Sequence, residues 1–226
     1  KVLNVNLIPQ TSLLVHQKKA GKDQIWAVYS TFLEVNTPLL PQVLKYDIQT
    51  SLVEVYKNRY TPYRILKTSD NNIWGIGRKI GFGYSFLSKY NETTNQFELA
   101  LDFENLSQLN IDGAILDIAE GKNRTLWLVV ETNFRKDLEY KLYSFEIDNK
   151  TLLEHPLGEN LSPRKLAIDQ DGSLWIITSD FSLITFYFSE NTTIKYEDPE
   201  LVFIFQEGFQ SEKLRGSTLY FDRRGN

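Results

Sequence analysis

The chain has 226 residues, 42% hydrophobic and 24% charged, and its formal net charge of -4 comes from 25 Lys+Arg against 29 Asp+Glu. No basic stripe points to nucleic acid, and no run of about 18 apolar residues reads as a membrane span. Twelve Tyr, fourteen Phe and four Trp favour strands over helices, and with no cysteine there is neither disulfide nor thiolate chemistry. The chain also lacks methionine. It is therefore expected to begin after a processed or deleted segment.

Taken in order, Val2-Leu3-Asn4-Val5-Asn6-Leu7 alternates like an outer strand. Leu13-Leu14-Val15, a turn through Gly21, and Gln24-Ile25-Trp26-Ala27-Val28 then read as two strands of a hairpin. A third strand ends at Lys45-Tyr46-Asp47, and a fourth, more polar one follows at Leu52-Val53-Glu54-Val55-Tyr56. The pattern returns at Ile65-Leu66-Lys67, the turn Ser69-Asp70-Asn71-Asn72, Ile73-Trp74-Gly75-Ile76 and Lys89-Tyr90-Asn91. It returns again at Ile115-Leu116-Asp117-Ile118, Leu126-Trp127-Leu128-Val129 and Ser144-Phe145-Glu146. The clearest copy is Leu166-Ala167-Ile168-Asp169, the turn Gln170-Asp171-Gly172-Ser173, Leu174-Trp175-Ile176-Ile177 and Tyr187-Phe188-Ser189. Asp-Gly supplies the positive φ that a tight hairpin needs.

The four tryptophans are spaced by 48, 53 and 48 residues. A helical period is sustained nowhere. Four antiparallel strands per unit of about 50 residues is the signature of a β-propeller blade. The expected fold is therefore all-β, a propeller segment over 1–226. Its blades run at 10–58, 59–108, 109–157 and 158–210, and 211–226 opens a fifth, because 219–226 match 166–173 position by position. With the strand at the N-terminus this reads as part of a larger ring. A β-sandwich is the alternative, but its strands need not carry Trp in register.

Asp169-Gln170-Asp171-Gly172-Ser173-Leu174-Trp175-Ile176 resembles the repeat of two-component-regulator propellers and is similar to streptogramin lyase-type propellers. The first resemblance implies an extracytoplasmic ligand-sensing region, periplasmic or at the cell surface. The second implies a His and a Glu-x-His pair around a metal. Here the only histidines are His16 and His155, and His155 has Glu154 adjacent rather than spaced by one. Both read as surface or packing residues, and no catalytic metal or cofactor is expected.

Other motifs have bland readings. Gly75-Ile76-Gly77-Arg78-Lys79-Ile80-Gly81-Phe82-Gly83 has the wrong spacing for a phosphate loop and no helix after it, so it reads as a strand connection. Asp169-Gln170-Asp171-Gly172 lacks the later ligands of a calcium loop and reads as a hairpin turn. The sequons at Asn91, Asn105, Asn123, Asn149, Asn160 and Asn191 read as turn chemistry. The tryptophans read as core between blades rather than as a sugar-stacking platform.

Binding residues concentrate on loops held by a rigid scaffold. One face should collect the connections between blades and those between second and third strands. Those connections are long at Ser30 to Pro41 and at Glu131 to Tyr140. Tyr63, Arg78, Phe134, Arg135 and Arg164 are the candidate ligand-binding residues, as solvent-facing anchors of a small molecule, glycan or protein. Tyr63 and Arg164 share one repeat position. The function expected is non-enzymatic sensing or binding. An enzyme whose catalytic groups lie mostly elsewhere and a protein-interaction scaffold are the alternatives.

Overall fold

The computed structural model describes residues 14–19, 21–29, 42–78, 85–102, 113–132, 139–157, 161–169, 171–180, 182–187 and 192–196. Among these, sixteen strands form four sheets, each a meander of four antiparallel strands in sequence order. Blade 1 comprises β1 (Leu14–Lys19), β2 (Lys22–Tyr29), β3 (Gln42–Asp47) and β4 (Val53–Tyr56). Blade 2 comprises β5 (Arg64–Lys67), β6 (Ile73–Arg78), β7 (Ser85–Asn91) and β8 (Gln96–Asp102). Blade 3 comprises β9 (Gly113–Glu120), β10 (Thr125–Thr132), β11 (Glu139–Glu146) and β12 (Thr151–His155). Blade 4 comprises β13 (Pro163–Ile168), β14 (Leu174–Thr178), β15 (Leu183–Tyr187) and β16 (Thr192–Tyr196). The inner strands β1, β5, β9 and β13 touch one another in that order. The fold is a β-propeller.

The strand-terminal calls at 2–7 and 219–226, and the long connection at 30–41, lie outside the described residues. Residue pairing places Trp26, Trp74, Trp127 and Trp175 all on second strands, opposite Val15, Leu66, Ala119 and Ala167. The side chain of each of the first three reaches toward the next blade. Trp26 and Val28 pack on Ile65, Ile73, Tyr90 and Phe97. Trp74 and Ile76 pack on Ile115, Leu126, Leu128 and Phe145, and Trp127 and Val129 on Leu166, Leu174, Ile184 and Phe186. Each large apolar side chain so buried contributes about 1.5–3 kcal/mol. Those three tryptophans are buried, whereas Trp175 is only partly so. The expectation that all four tryptophans are buried core between blades therefore holds for three of them and is corrected for Trp175. Burial is delivered by the following blade, and no described strand follows β16.

Gly75 and Gly77 lie within β6, not in a connection. A Cβ at Gly75 would come within 2.4 Å of Pro62, and one at Gly77 within 2.1 Å of the Phe86 ring, so close packing selects these glycines. The connection read from Glu131 to Tyr140 is also shorter than expected. Glu131 pairs with Tyr140 and Thr132 with Glu139, which extends the β10–β11 ladder. Three sequon asparagines do serve turns. Asn91 and Asn149 accept from the backbone N–H of Thr93 and Thr151, and Asn123 adopts φ 54°. The Asp169 carboxylate accepts from the backbone N–H of Ser173 at 2.8 Å across the turn, where Gly172 has φ 86°.

Candidate binding face

Strand direction alternates identically in every blade, so the second-to-third connections and the between-blade connections share one face. The inner strands enter from that face at Arg64, Gly113 and Pro163. Two residues before the partner of each tryptophan, these strands carry Arg64, Asp117 and Lys165 at a single repeat position.

Asp117 is fully buried. Arg64 Nη2 lies 2.6 Å from its Oδ1, the Ile118 backbone N–H donates to Oδ1 at 2.7 Å, and the Leu166 N–H donates to Oδ2 at 2.9 Å. One carboxylate thus ties β5 and β13 to β9. Burial raises Asp117 above the ordinary Asp range, against the pull of Arg64, Lys165 and the two N–H donors. Burial also lowers the Lys165 ammonium, the Arg64 charge adds to that, and Asp117 opposes both. The three groups are therefore electrostatically coupled. Such a unit can hold an anion through charge-assisted hydrogen bonds.

The residues expected from sequence fall around this unit in different ways. Tyr63 is half-buried against the interface of blades 2 and 3, and its hydroxyl donates to the Ile115 carbonyl. It clamps two blades, so the expectation of a solvent-facing loop anchor is corrected. Arg164 sits at a register shift between Pro163 and Lys165. A bulge of this kind re-aims a side chain. Its guanidinium lies 5.8 Å from the Tyr140 ring centroid and 3.7 Å from Glu131 Oε2, and its side chain is 41% exposed. Arg78 ends β6, paired with Ser85. Phe134 and Arg135 lie outside the described residues. In the sequence Asp117 reads as an ordinary strand member, and Arg64 and Lys165 stand just before the strands that begin at Ile65 and Leu166, so none of the three is singled out. Aligning the blades on Trp would have exposed three charges in one register.

The histidines are elsewhere. His16 pairs with Asp23 across β1 and β2. His155 packs its ring 4.7 Å from Trp127 and shares a hydrogen bond with Ser144 at 2.7 Å. Among the described residues no group of three His, Cys, Asp or Glu could hold a metal ion, and no helix is long and apolar enough to cross a membrane.

No family model matches the chain, and no curated protein does. Solved structures do. Hydrazine synthase from Kuenenia stuttgartiensis superposes with a TM-score of 0.53 at 10% identity, over 72% of this chain and 49% of that one. A luciferin-regenerating enzyme superposes at 0.50 with 13% identity, over 84% of this chain and 65% of that one. Virginiamycin B lyase from Staphylococcus aureus gives 0.43 at 12% identity, over 86% and 73% of the two chains. The chain thus spans about half of the first of these and under two thirds of the second. At such identities the likeness is one of fold.

Proposed function

We propose that this chain is the binding part of a sensing propeller, of the two-component-regulator type its repeat resembles, working outside the cytoplasm and taking a small anionic ligand at its channel-side face. The observation that carries the reading is the Arg64, Asp117 and Lys165 unit. Three blades contribute one ionisable residue each at one repeat position, and Arg64 pairs with a fully enclosed carboxylate there. Arg164, 41% exposed and next to Lys165 in the chain, is the sequence-selected residue that could add a second cation at this face. A binding role is preferred to an enzymatic one because His155 packs on Trp127 and shares a hydrogen bond with Ser144, away from the channel-side residues.

Titration calorimetry with a panel of small mono- and dicarboxylates tests the reading. Lys165→Met should weaken the best ligand by about tenfold or more, the worth of one charge-assisted hydrogen bond. Arg164→Ala should weaken it less. Unchanged affinity in both variants would remove the ligand from this face.

A further inference from the structure

Two lysines of this protein leave solvent, and they are treated in opposite ways. Lys45 is held on every side. Its Nζ lies 2.6 Å from Glu54 and donates to the Tyr56 and Tyr90 hydroxyls at 3.2 and 3.1 Å. Those bonds keep its ammonium charged despite burial. Lys165 is half-buried on the inner strand β13, opposite the buried Ile177. Among the described residues no hydrogen bond or ion pair holds its ammonium, and Arg64 and Asp117 act on it only through space.

The register of the blades explains the difference. Asp117 is the acidic member of the repeat position that Lys165 shares, but its oxygens are occupied. Arg64 Nη2 and the Ile118 N–H take Oδ1, and the Leu166 N–H takes Oδ2. Lys165 is left with the desolvation and with the Arg64 charge, and both push it below the ordinary Lys range. Desolvation and a neighbouring cation favour the neutral amine. A neutral lysine carries a free lone pair, and these are the two surroundings that turn a lysine into a nucleophile toward carbonyl carbon.

The neighbouring residue supplies a place for an anion. Successive side chains of a regular strand point to opposite faces. The register shift between Pro163 and Lys165 leaves Arg164 as the extra residue and re-aims it. Its guanidinium, 41% exposed, lies over the Tyr140 ring, and Glu131 Oε2 stands 3.7 Å away, beyond hydrogen-bond length. The planar fork is therefore steadied with its donors still open to a carboxylate.

We propose that Lys165 is a nucleophilic lysine that holds a small 2-oxo acid as a covalent imine, with Arg164 binding the acid's carboxylate. This narrows the ligand class of the channel-side face and rests on the reading given above. The Nζ lone pair attacks the ketone carbon, and one amine proton passes to the carbonyl oxygen. The carbinolamine then expels its hydroxyl as water together with the remaining amine proton, leaving C=N. One amine and one ketone give one imine and one water, with nothing oxidised or reduced. Water reverses the step, so the ligand can leave.

The test is trapping with pyruvate and sodium borohydride, which reduces an imine to a stable secondary amine. The intact mass should rise by one adduct per chain, saturably in pyruvate, and peptide mapping should place it on Lys165. Lys165→Met should lose the adduct. Lys165→Arg, which keeps a cation and has no nucleophile, should bind pyruvate in titration calorimetry and remain untrapped. Arg164→Ala should raise the pyruvate concentration for half-trapping about tenfold. Lactate, with the same carboxylate and no ketone, should bind without trapping. Pyruvate that binds untrapped to the wild type, an adduct spread over the surface lysines, or trapping that survives in Lys165→Met would overturn the imine and leave the anion-binding face standing. Failure of pyruvate, lactate and every other acid to bind the wild type would overturn both.

Discussion

The first and third inter-blade interfaces use the same backbone plan to opposite ends. Between blades 1 and 2, Trp26, Tyr56, Tyr90 and Phe97 form an aromatic box with ring centroids 4.7–6.2 Å apart, and the Lys45 ammonium sits 5.3–5.9 Å from three of them. Between blades 3 and 4, Trp127 meets Val129, Leu142, Leu166, Leu174, Ile176 and Ile184, with His155 and Phe186 as the other rings. The first interface is closed by a satisfied charge and the third by aliphatic fit. The repeat thus demands volume next to each tryptophan and leaves its chemistry open. Between blades 2 and 3 the volume around Trp74 comes from Ile115, Leu126, Leu128 and Phe145.

The largest effect should come from the tryptophans themselves. Trp26→Ala should cost about 3–5 kcal/mol in urea unfolding. Trp175→Ala should cost clearly less, because that ring is only partly buried. Equal losses would mean that burial by the following blade is not what these rings contribute.

The next two predictions separate the charged interface from the aliphatic one. Ile184→Ala, fully buried in the third interface, should cost about 2–4 kcal/mol. Glu54→Gln in the first should cost about 1–3 kcal/mol, since Lys45 keeps its two tyrosine hydroxyls but loses its carboxylate. A neutral Glu54→Gln would show that the phenols alone satisfy the ammonium.

The two interfaces should also respond to different pH windows. The hydrogen bond from Lys45 holds Glu54 below its ordinary 4.5, against burial, which raises it. Its stabilisation is present above that value and lost as pH falls through the depressed folded one. Burial pulls Lys45 down, but its bonds to Glu54 and Tyr90 outweigh this and leave it above 10.5. Its stabilisation is present below 10.5 and lost as pH rises through the raised value. Glu54→Gln should flatten both ends of the stability profile.

The smallest effect concerns His155, which burial lowers from 6.5. The folded state prefers the neutral ring, so stability should decline as pH falls below 6.5 and through the lowered value. His155→Phe should remove that slope and leave the first interface's windows in place. A slope that survives the substitution would assign it to another group.

The tryptophan register, the four-strand unit and the hairpin turns were legible in the sequence because they are local. Alternation of period two, Asp-Gly and Asn at turns, and one Trp per unit are each written within a few residues. Arg164 could be singled out for the same reason, as a charged residue beside a strand entrance. The meeting of Arg64, Asp117 and Lys165 was decided only by the stacking of blades, since those residues lie about 50 positions apart and each looks unremarkable in its own strand. Tyr63 looked like a loop residue until the next blade supplied the Ile115 carbonyl for its hydroxyl. Local pattern fixes which strands form, and side-chain volume and charge from the adjoining blade fix what each position does.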